Sequence, residues 1–309
     1  MVGEIQKMNC PVCKSSNAKI WSSVTDVEYQ TTDRQHTYLQ CNFCDSLYLE
    51  NPPFNDLHVI YPRNYYTKSH RRSAIHQIKM ALDRRMVKTW LNYLEPIEAR
   101  SIKVGDFGGG EGYFAKILTE KNQRVFSTVI DFDQKEVVQR NKQVSYLSCD
   151  LNQDFPTERF DIIVAWNLLE HLVNPEEFLK KCKLGLNSRG LLVIQTPSHR
   201  NVFALLFRKI YWGGLHAPRH FVIYSPKFLN RSLKQKGFEI ISRKHVQDAH
   251  FVTVTICRLL HLDKKVSADN SILSLKFYRY LLPFAGLIST LWSYFFPSGQ
   301  VQFIVRNSN

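Results

Sequence analysis

The densest chemistry in the sequence lies between Val104 and Phe114, where Asp106, Gly108, Gly110 and Gly112 occupy alternate positions. An apolar run leads into them and a helical pattern leads out, so the chain can turn tightly and bring its backbone close to a ligand at a helix N-terminus. Roughly 20 residues further on, Asp131 closes the next apolar run, where a carboxylate can hold both hydroxyls of a ribose. The glycine spacing departs from the G-x-G-x-x-G of dinucleotide binders. A carboxylate at 106 would repel a pyrophosphate but suits an ammonium group.

A second concentration is thiol chemistry. Cys10-Pro-Val-Cys13 and Cys41-Asn-Phe-Cys44 are two C-x-x-C pairs with 27 residues between them, and four thiolates so arranged can surround one structural Zn2+. Lys14 and Asp45 stand where zinc knuckles prefer glycine. Redox chemistry is the rival reading, but neither pair opens a helix in a thioredoxin-like unit. Cys149, Cys182 and Cys257 read as plain buried thiols. Histidine supplies a third set: His171 in Asn167-Leu-Leu-Glu170-His171, His199 after Thr-Pro-Ser, and His216 and His220 in His-Ala-Pro-Arg-His. A histidine titrating near neutrality can take a proton from a hydroxyl, and His171 is the best placed to do so.

The elements that must position these residues follow from hydrophobic periodicity. Residues 1–60 form a module of their own, with strand-like stretches around Lys19 to Tyr29 and Thr37 to Gln40. A linker with an amphipathic helix near Ala74 to Leu94 occupies 61–100 and stops at Pro96. Strands and helices then alternate through 101–243: Ile102 to Phe107, Tyr113 to Glu120, Val125 to Ile130, Gln134 to Arg140, Val144 to Ser148, Phe160 to Ala165, Pro175 to Leu186 and Leu191 to Gln195. Lys227 to Lys236 follows as a helix and Phe238 to Arg243 as a strand. Such alternation predicts a mostly parallel sheet covered by helices. An apolar and basic insertion fills 244–300, and 301–309 carries a last strand from Val301 to Arg306.

From Ser101 to Thr196 the sequence resembles the class I S-adenosylmethionine-dependent methyltransferases, whose first motif has the form of Asp106-x-Gly108-x-Gly110-x-Gly112. The resemblance implies an α/β Rossmann-like seven-stranded sheet, with Phe238 to Arg243 and Val301 to Arg306 as its sixth and seventh strands. It implies that Asp106 lies near the methionine moiety of S-adenosyl-L-methionine, that Asp131 holds the ribose and that Asp150 with Leu151 contacts the adenine. Trp166 and Asn167 would line the floor near the methionine, and Glu170 and His171 would face the reacting methyl, with His199 as a further candidate. Gly109 stands where many relatives carry cysteine or another small residue. The N-terminal cysteine ribbon, the Tyr61-Pro62-x-x-Tyr65-Tyr66 element and the core together resemble bacterial methyltransferases of polysaccharide and lipopolysaccharide biosynthesis. That resemblance implies a glycan precursor or glycolipid as acceptor; oxygen is the atom expected to be methylated, with His171 as base.

Composition and charge bound the setting. Of 309 residues 44% are apolar and 22% charged, close to the soluble average, which excludes disordered, collagenous and polytopic membrane classes. Beyond Pro197, 16 Lys and Arg face 4 Asp and Glu, so most of the net charge of +14 lies in the last third and favours an anionic partner. Leu281 to Phe296 is apolar and aromatic, flanked by Lys264, Lys265, Lys276 and Arg279. Pro283 and Pro297 leave it shorter than the roughly 20 residues of a membrane span, so it should lie in an interface or pack on the core. Val202 to Trp212, with Arg200, Arg208 and Lys209, is a second such stretch. Both could instead form a homo-oligomer interface or a lid. Met1 to Met8 holds no apolar run, so the expected location is cytoplasmic, peripheral on the inner face of the plasma membrane. Methylation of a quinone or other isoprenoid is the first alternative, and an RNA-directed protein the second. Basic residues interleaved with apolar runs, rather than with a stacking platform, argue against nucleic acid.

Overall fold

The structure is a computed structural model that describes residues 8–62, 65, 74–94, 100–120, 122–132, 142–267 and 270–308. In chain order it contains β1 (Ala18–Val24), β2 (His36–Cys41), β3 (Leu47–Leu49), the short α1 (Leu57–Ile60) and the long α2 (Ala74–Tyr93). Then follow β4 (Ile102–Phe107), α3 (Tyr113–Thr119), β5 (Val125–Asp131), β6 (Val144–Ser148), β7 (Phe160–Trp166), α4 (Pro175–Gly185) and β8 (Leu186–Pro197). The chain closes with α5 (Val202–Phe207), β9 (Val222–Ile223), α6 (Pro226–Gln235), β10 (Phe238–Val246), α7 (Ala249–Leu259), α8 (Lys276–Phe295) and β11 (Gln300–Asn307). The helix expected over Gln134 to Arg140 and the stop at Pro96 lie outside the described residues.

These elements form two compact units, each discontinuous in sequence. The larger sheet belongs to residues 68–196, 230–244 and 302–309 and has the order β10-β11-β8-β7-β4-β5-β6. The expected seven-stranded α/β fold is therefore present, with β4 parallel to both β5 and β7, β5 to β6, and β7 to β8. Its central strands are buried on both faces and read as nearly continuous apolar runs such as Phe160–Trp166. On one face α2 lays Val87 and Trp90 onto Val104, Ile162 and Val193, and Trp90 meets the rings of Phe114 and Trp166. Val87 and Trp90 are buried in this contact, whereas Leu82 of the same helix is 60% exposed.

The other unit gathers 1–67, 197–229 and 245–301. Its four-stranded sheet has the order β1-β2-β3-β9, so the N-terminal strands are completed by Val222 and Ile223 pairing antiparallel with Tyr48 and Leu47. Segments 1–60 and 244–300 accordingly share one unit rather than standing apart. β1 stops at Val24, short of the expected Tyr29, because Asp26 turns the chain. Its Oδ1 accepts from the amides of Glu28 and Tyr29, and its Oδ2 from the amide and hydroxyl of Thr31. Arg219 then locks this turn, donating to Asp26 at 3.2 and 2.9 Å with both side chains fully buried.

The apolar insertion is helical, as the sequence indicated, but Pro283 does not shorten it: α8 runs 20 residues straight through the proline. No helix among the described residues is long and apolar enough to cross a membrane. α8 is inverted relative to an ordinary surface helix. It buries Tyr278, Ala285 and Ser289 while Leu287, Ile288, Leu291, Tyr294 and Phe295 are between 57% and 80% exposed.

Candidate active site

The glycine loop leaves the C-terminal end of β4 and enters α3. Gly108, Gly110 and Gly112 all have positive φ, at 68, 52 and 73°, which is why glycine recurs at alternate positions. A Cβ on Gly112 would lie 2.9 Å from Val129 Cγ2, and one on Gly109 would lie 2.6 Å from Asp106 Cγ. Position 109, read from the sequence as tolerant of other small residues, is sterically closed here by the Asp106 carboxyl.

Asp131 ends β5, buried, and fixes the loop. Its Oδ2 accepts from Gly110 N–H at 2.9 Å and its Oδ1 from Phe132 N–H at 2.8 Å. A carboxylate has about four lone-pair directions, so it can bind these amides and still accept from ligand hydroxyls. Asp106 is 1% exposed and accepts one amide bond, from Ala115 at 3.2 Å. Burial pushes its carboxyl up to about 7 against the pull of that amide, and the nearby charge of Asp131 adds to the rise. A cation arriving beside Asp106 would reverse that burial cost.

Beyond β7, Asn167 adopts a left-handed backbone with φ 50°, held by its N–H donating to Gln195 O at 2.8 Å. Its side-chain Oδ1 is buried without a hydrogen-bond partner, an acceptor waiting for a donor. Trp166 packs on Phe114 with ring centroids 4.6 Å apart, against the same core cluster as Trp90. Leu151 is buried, whereas Asp150 accepts from Asn152 and Gln153 of its own turn. These orphaned and glycine-lined positions fit an adenosine cofactor bearing an ammonium.

Glu170 and His171 share the single 3-10 turn Leu169–His171. Glu170 is fully buried and accepts from Thr196 Oγ1 at 3.0 Å, which pins the turn to the end of β8. Burial raises its carboxyl to about 8, so at neutral pH it is protonated. Glu170, expected to face the reacting group, is bonded to Thr196 in the turn that also carries the half-buried His171. His199 lies in the other unit, buried beside Trp21, and burial drives it down to about 4. It stays neutral at physiological pH.

The four N-terminal cysteines converge. Cys10 and Cys44 Sγ are 3.6 Å apart, Cys13 and Cys41 Sγ are 3.5 Å apart, and all four sulfurs lie within 4.8 Å of one another. Thiolates about 2.3 Å from a central zinc form a tetrahedron with edges of about 3.8 Å, so the set fits that ion. The two turns are near copies: Lys14 and Asp45, each at φ 64°, donate their amides to Cys10 O and Cys41 O at 2.8 and 3.0 Å. Both turns thus place a non-glycine residue in the left-handed backbone region that favours glycine. Burial pushes Cys13 up to about 11, and the hydrogen bond from Cys10 together with burial raises Cys44, so these thiols hold their protons unless a cation is supplied.

Fold and loop geometry define the class, and comparison with known proteins agrees. Residues 76–243, more than half of the chain, match the model of a methyltransferase domain family. The chain belongs to that family and carries the fold of an S-adenosylmethionine-dependent enzyme. Ubiquinone biosynthesis O-methyltransferase of Bradyrhizobium diazoefficiens is 32% identical over 104 residues, covering 31% of this chain and 40% of that protein. A probable S-adenosylmethionine-dependent methyltransferase of Mycobacterium tuberculosis is 28% identical over 158 residues, half of each chain. The match thus spans half or less of the length of these two relatives. Ubiquinone biosynthesis O-methyltransferase of Glaesserella parasuis is 26% identical over 208 residues, covering 55% of this chain and 86% of that one. Among solved structures, coclaurine N-methyltransferase bound to N-methylheliamine and S-adenosylhomocysteine superimposes with a TM-score of 0.49 at 16% identity, covering 82% of this chain and 81% of that one.

Proposed function

We propose that the protein transfers a methyl group from S-adenosylmethionine to an oxygen of a lipid-borne acceptor, a glycan precursor or glycolipid, while resting peripherally on the cytoplasmic face of a membrane. The observation that carries the cofactor half of this reading is the glycine loop tied to Asp131 through Gly110 N–H at 2.9 Å within the family domain. The bound cofactor supplies a methyl already activated on a sulfonium. The chain's own residues have a modest task. Asp131 and the loop amides hold the adenosine end, Asp106 and Asn167 Oδ1 receive the amino-acid end, and His171 accepts the acceptor's proton as the new bond forms. Neutral Glu170, hydrogen-bonded to Thr196, fixes the turn that presents His171.

The acceptor half rests on the surface of the other unit. α8 exposes Tyr280, Phe284, Leu287, Ile288 and Leu291, and the Lys264, Lys265, Lys276 and Arg279 side chains beside it are exposed as well. Large apolar side chains flanked by lysine and arginine suit an interface with anionic lipid. The four cysteines serve as the structural zinc site of that unit. A second reading, methylation of a quinone or another isoprenoid phenol, is favoured by the printed names of the Bradyrhizobium and Glaesserella relatives and uses the same surface. Flotation with liposomes containing anionic lipid, followed by transfer of labelled methyl to fractionated bacterial lipid extract, tests both. Label in a glycolipid fraction supports the first reading and label in the quinone fraction the second. Failure to float, with label confined to water-soluble acceptors, would refute the membrane assignment.

A further inference from the structure

Outside the cofactor loop and the cysteine cluster, Glu28 is a buried carboxylate without an assigned task. Glu28 is 1% exposed and sits in the turn after β1. Its Oε1 lies 2.7 Å from His216 Nδ1 and its Oε2 lies 3.1 Å from His250 Nε2. The Oε2 contact has the distance of a hydrogen bond but makes none, leaving a buried carboxylate oxygen without a hydrogen-bond partner. Arg219, the nearby guanidinium, is already committed to Asp26 through both terminal nitrogens.

We propose that Glu28, His216 and His250 form a binding site for a divalent transition-metal ion, of which Zn2+ is the best fit, separate from the four cysteines. One carboxylate and two imidazoles, with ligand atoms all within 4.8 Å of one another, make a three-ligand set of the kind zinc accepts with a fourth position left for an oxygen donor. Bonds of about 2.0 to 2.2 Å to zinc give ligand atoms about 3.4 Å apart, so the observed 2.7 and 3.1 Å must widen by about 0.7 and 0.3 Å. The outer nitrogens are placed as a metal site requires. His250 Nδ1 lies 2.7 Å from Tyr278 Oη and His216 Nε2 lies 3.3 Å from Tyr65 Oη, so each imidazole can donate its remaining N–H to a tyrosine oxygen while its other nitrogen faces the ion. The ion would tie together the turn after β1, the His-Ala-Pro-Arg-His loop and α7. It would also compensate the buried carboxylate of Glu28.

This inference stands apart from methyl transfer and is tested without an activity assay. The purified full-length chain is stripped with chelator, reloaded with Co2+ and followed by absorption, and its zinc content after Zn2+ loading is measured by mass spectrometry. Cobalt on the cysteines gives thiolate-to-metal charge-transfer bands, whereas cobalt on Glu28, His216 and His250 gives only weak ligand-field bands, so the two sites report separately. The expected result is an additional ion per chain whose ligand-field signal disappears in His250→Ala and Glu28→Gln while the thiolate bands persist. His250 is partly exposed, so its truncation tests the site without opening the core. The proposal is overturned if all bound cobalt carries thiolate character, or if both variants keep the wild-type metal content. Loss of the thiolate bands alone would remove the cysteine site and leave this one standing.

Discussion

If Asp106 receives the cation of the cofactor, binding must be coupled to its ionisation. Its carboxyl is raised to about 7 chiefly by burial, so in the free protein it is mostly protonated below neutrality. The sign is opposite to that of a surface ion pair. A raised carboxyl favours the folded state at low pH and costs stability as pH climbs from the unfolded value toward 7, whereas cofactor binding gains over the same interval. At pH 6 about a tenth of Asp106 is ionised, so affinity should be about tenfold weaker than at pH 8, a difference of about 1.4 kcal/mol. Isothermal titration with S-adenosylhomocysteine from pH 5.5 to 8, in buffers of differing ionisation enthalpy, should show release of nearly one proton at pH 6 and almost none at pH 8. Asp106→Asn keeps the acceptor for Ala115 N–H but abolishes the slope. Glu170→Gln, which removes another raised carboxyl, keeps it. Affinity independent of pH in the wild type, or a slope that survives in Asp106→Asn, would refute the placement of Asp106 beside the cation.

Other outcomes follow from the same geometry. Replacing either member of the buried Asp26 and Arg219 pair by an uncharged residue leaves a buried charge alone and should cost about 3 to 5 kcal/mol in urea unfolding; a loss under 1 kcal/mol would show the pair to be dispensable. Burial alone would raise Asp26, but Arg219 holds it below the usual carboxylate range, so the pair's contribution should persist above that range and disappear only as pH falls through the lowered value. Gly112→Ala, at φ 73° and with its Cβ 2.9 Å from Val129 Cγ2, should lose at least about 1 to 2 kcal/mol of stability, read as a lower thermal midpoint. Replacing the exposed Leu287 and Ile288 together by serine should weaken liposome flotation without lowering that midpoint; unchanged flotation would clear α8 of a role.

What the sequence disclosed was what local pattern can encode. The run from Val104 to Phe114 displays a strand, a turn and a helix within a few residues, and the structure needs its three positive-φ glycines where they stand. The two C-x-x-C turns are equally local, even to the paired bonds of Lys14 and Asp45. The rest depended on distance. Nothing in Val222–Ile223 marks a two-residue strand that closes a sheet with residues near 48. Glu28 meets His216 across 188 positions, so a carboxylate in an unremarkable turn gave no sign of two histidine neighbours, although the His-Ala-Pro-Arg-His motif already drew attention to one of them. Glu170 was hidden for a different reason: a charged residue beside a histidine looks like paired acid and base, and its complete burial and its bond from Thr196 depend on the end of β8. Pro283 suggested a break, yet the helix runs 20 residues through it.

The most direct test of the central claim is calorimetric titration of the purified chain with S-adenosylmethionine, wild type beside Asp131→Ala. Asp131 is both the expected ribose ligand and the acceptor for Gly110 N–H at 2.9 Å, so its truncation removes a contact and loosens the loop. The account predicts binding in the micromolar range that Asp131→Ala weakens at least tenfold, about 1.4 kcal/mol or more. Absence of binding by the folded wild type, or equal affinity in the variant, would contradict it.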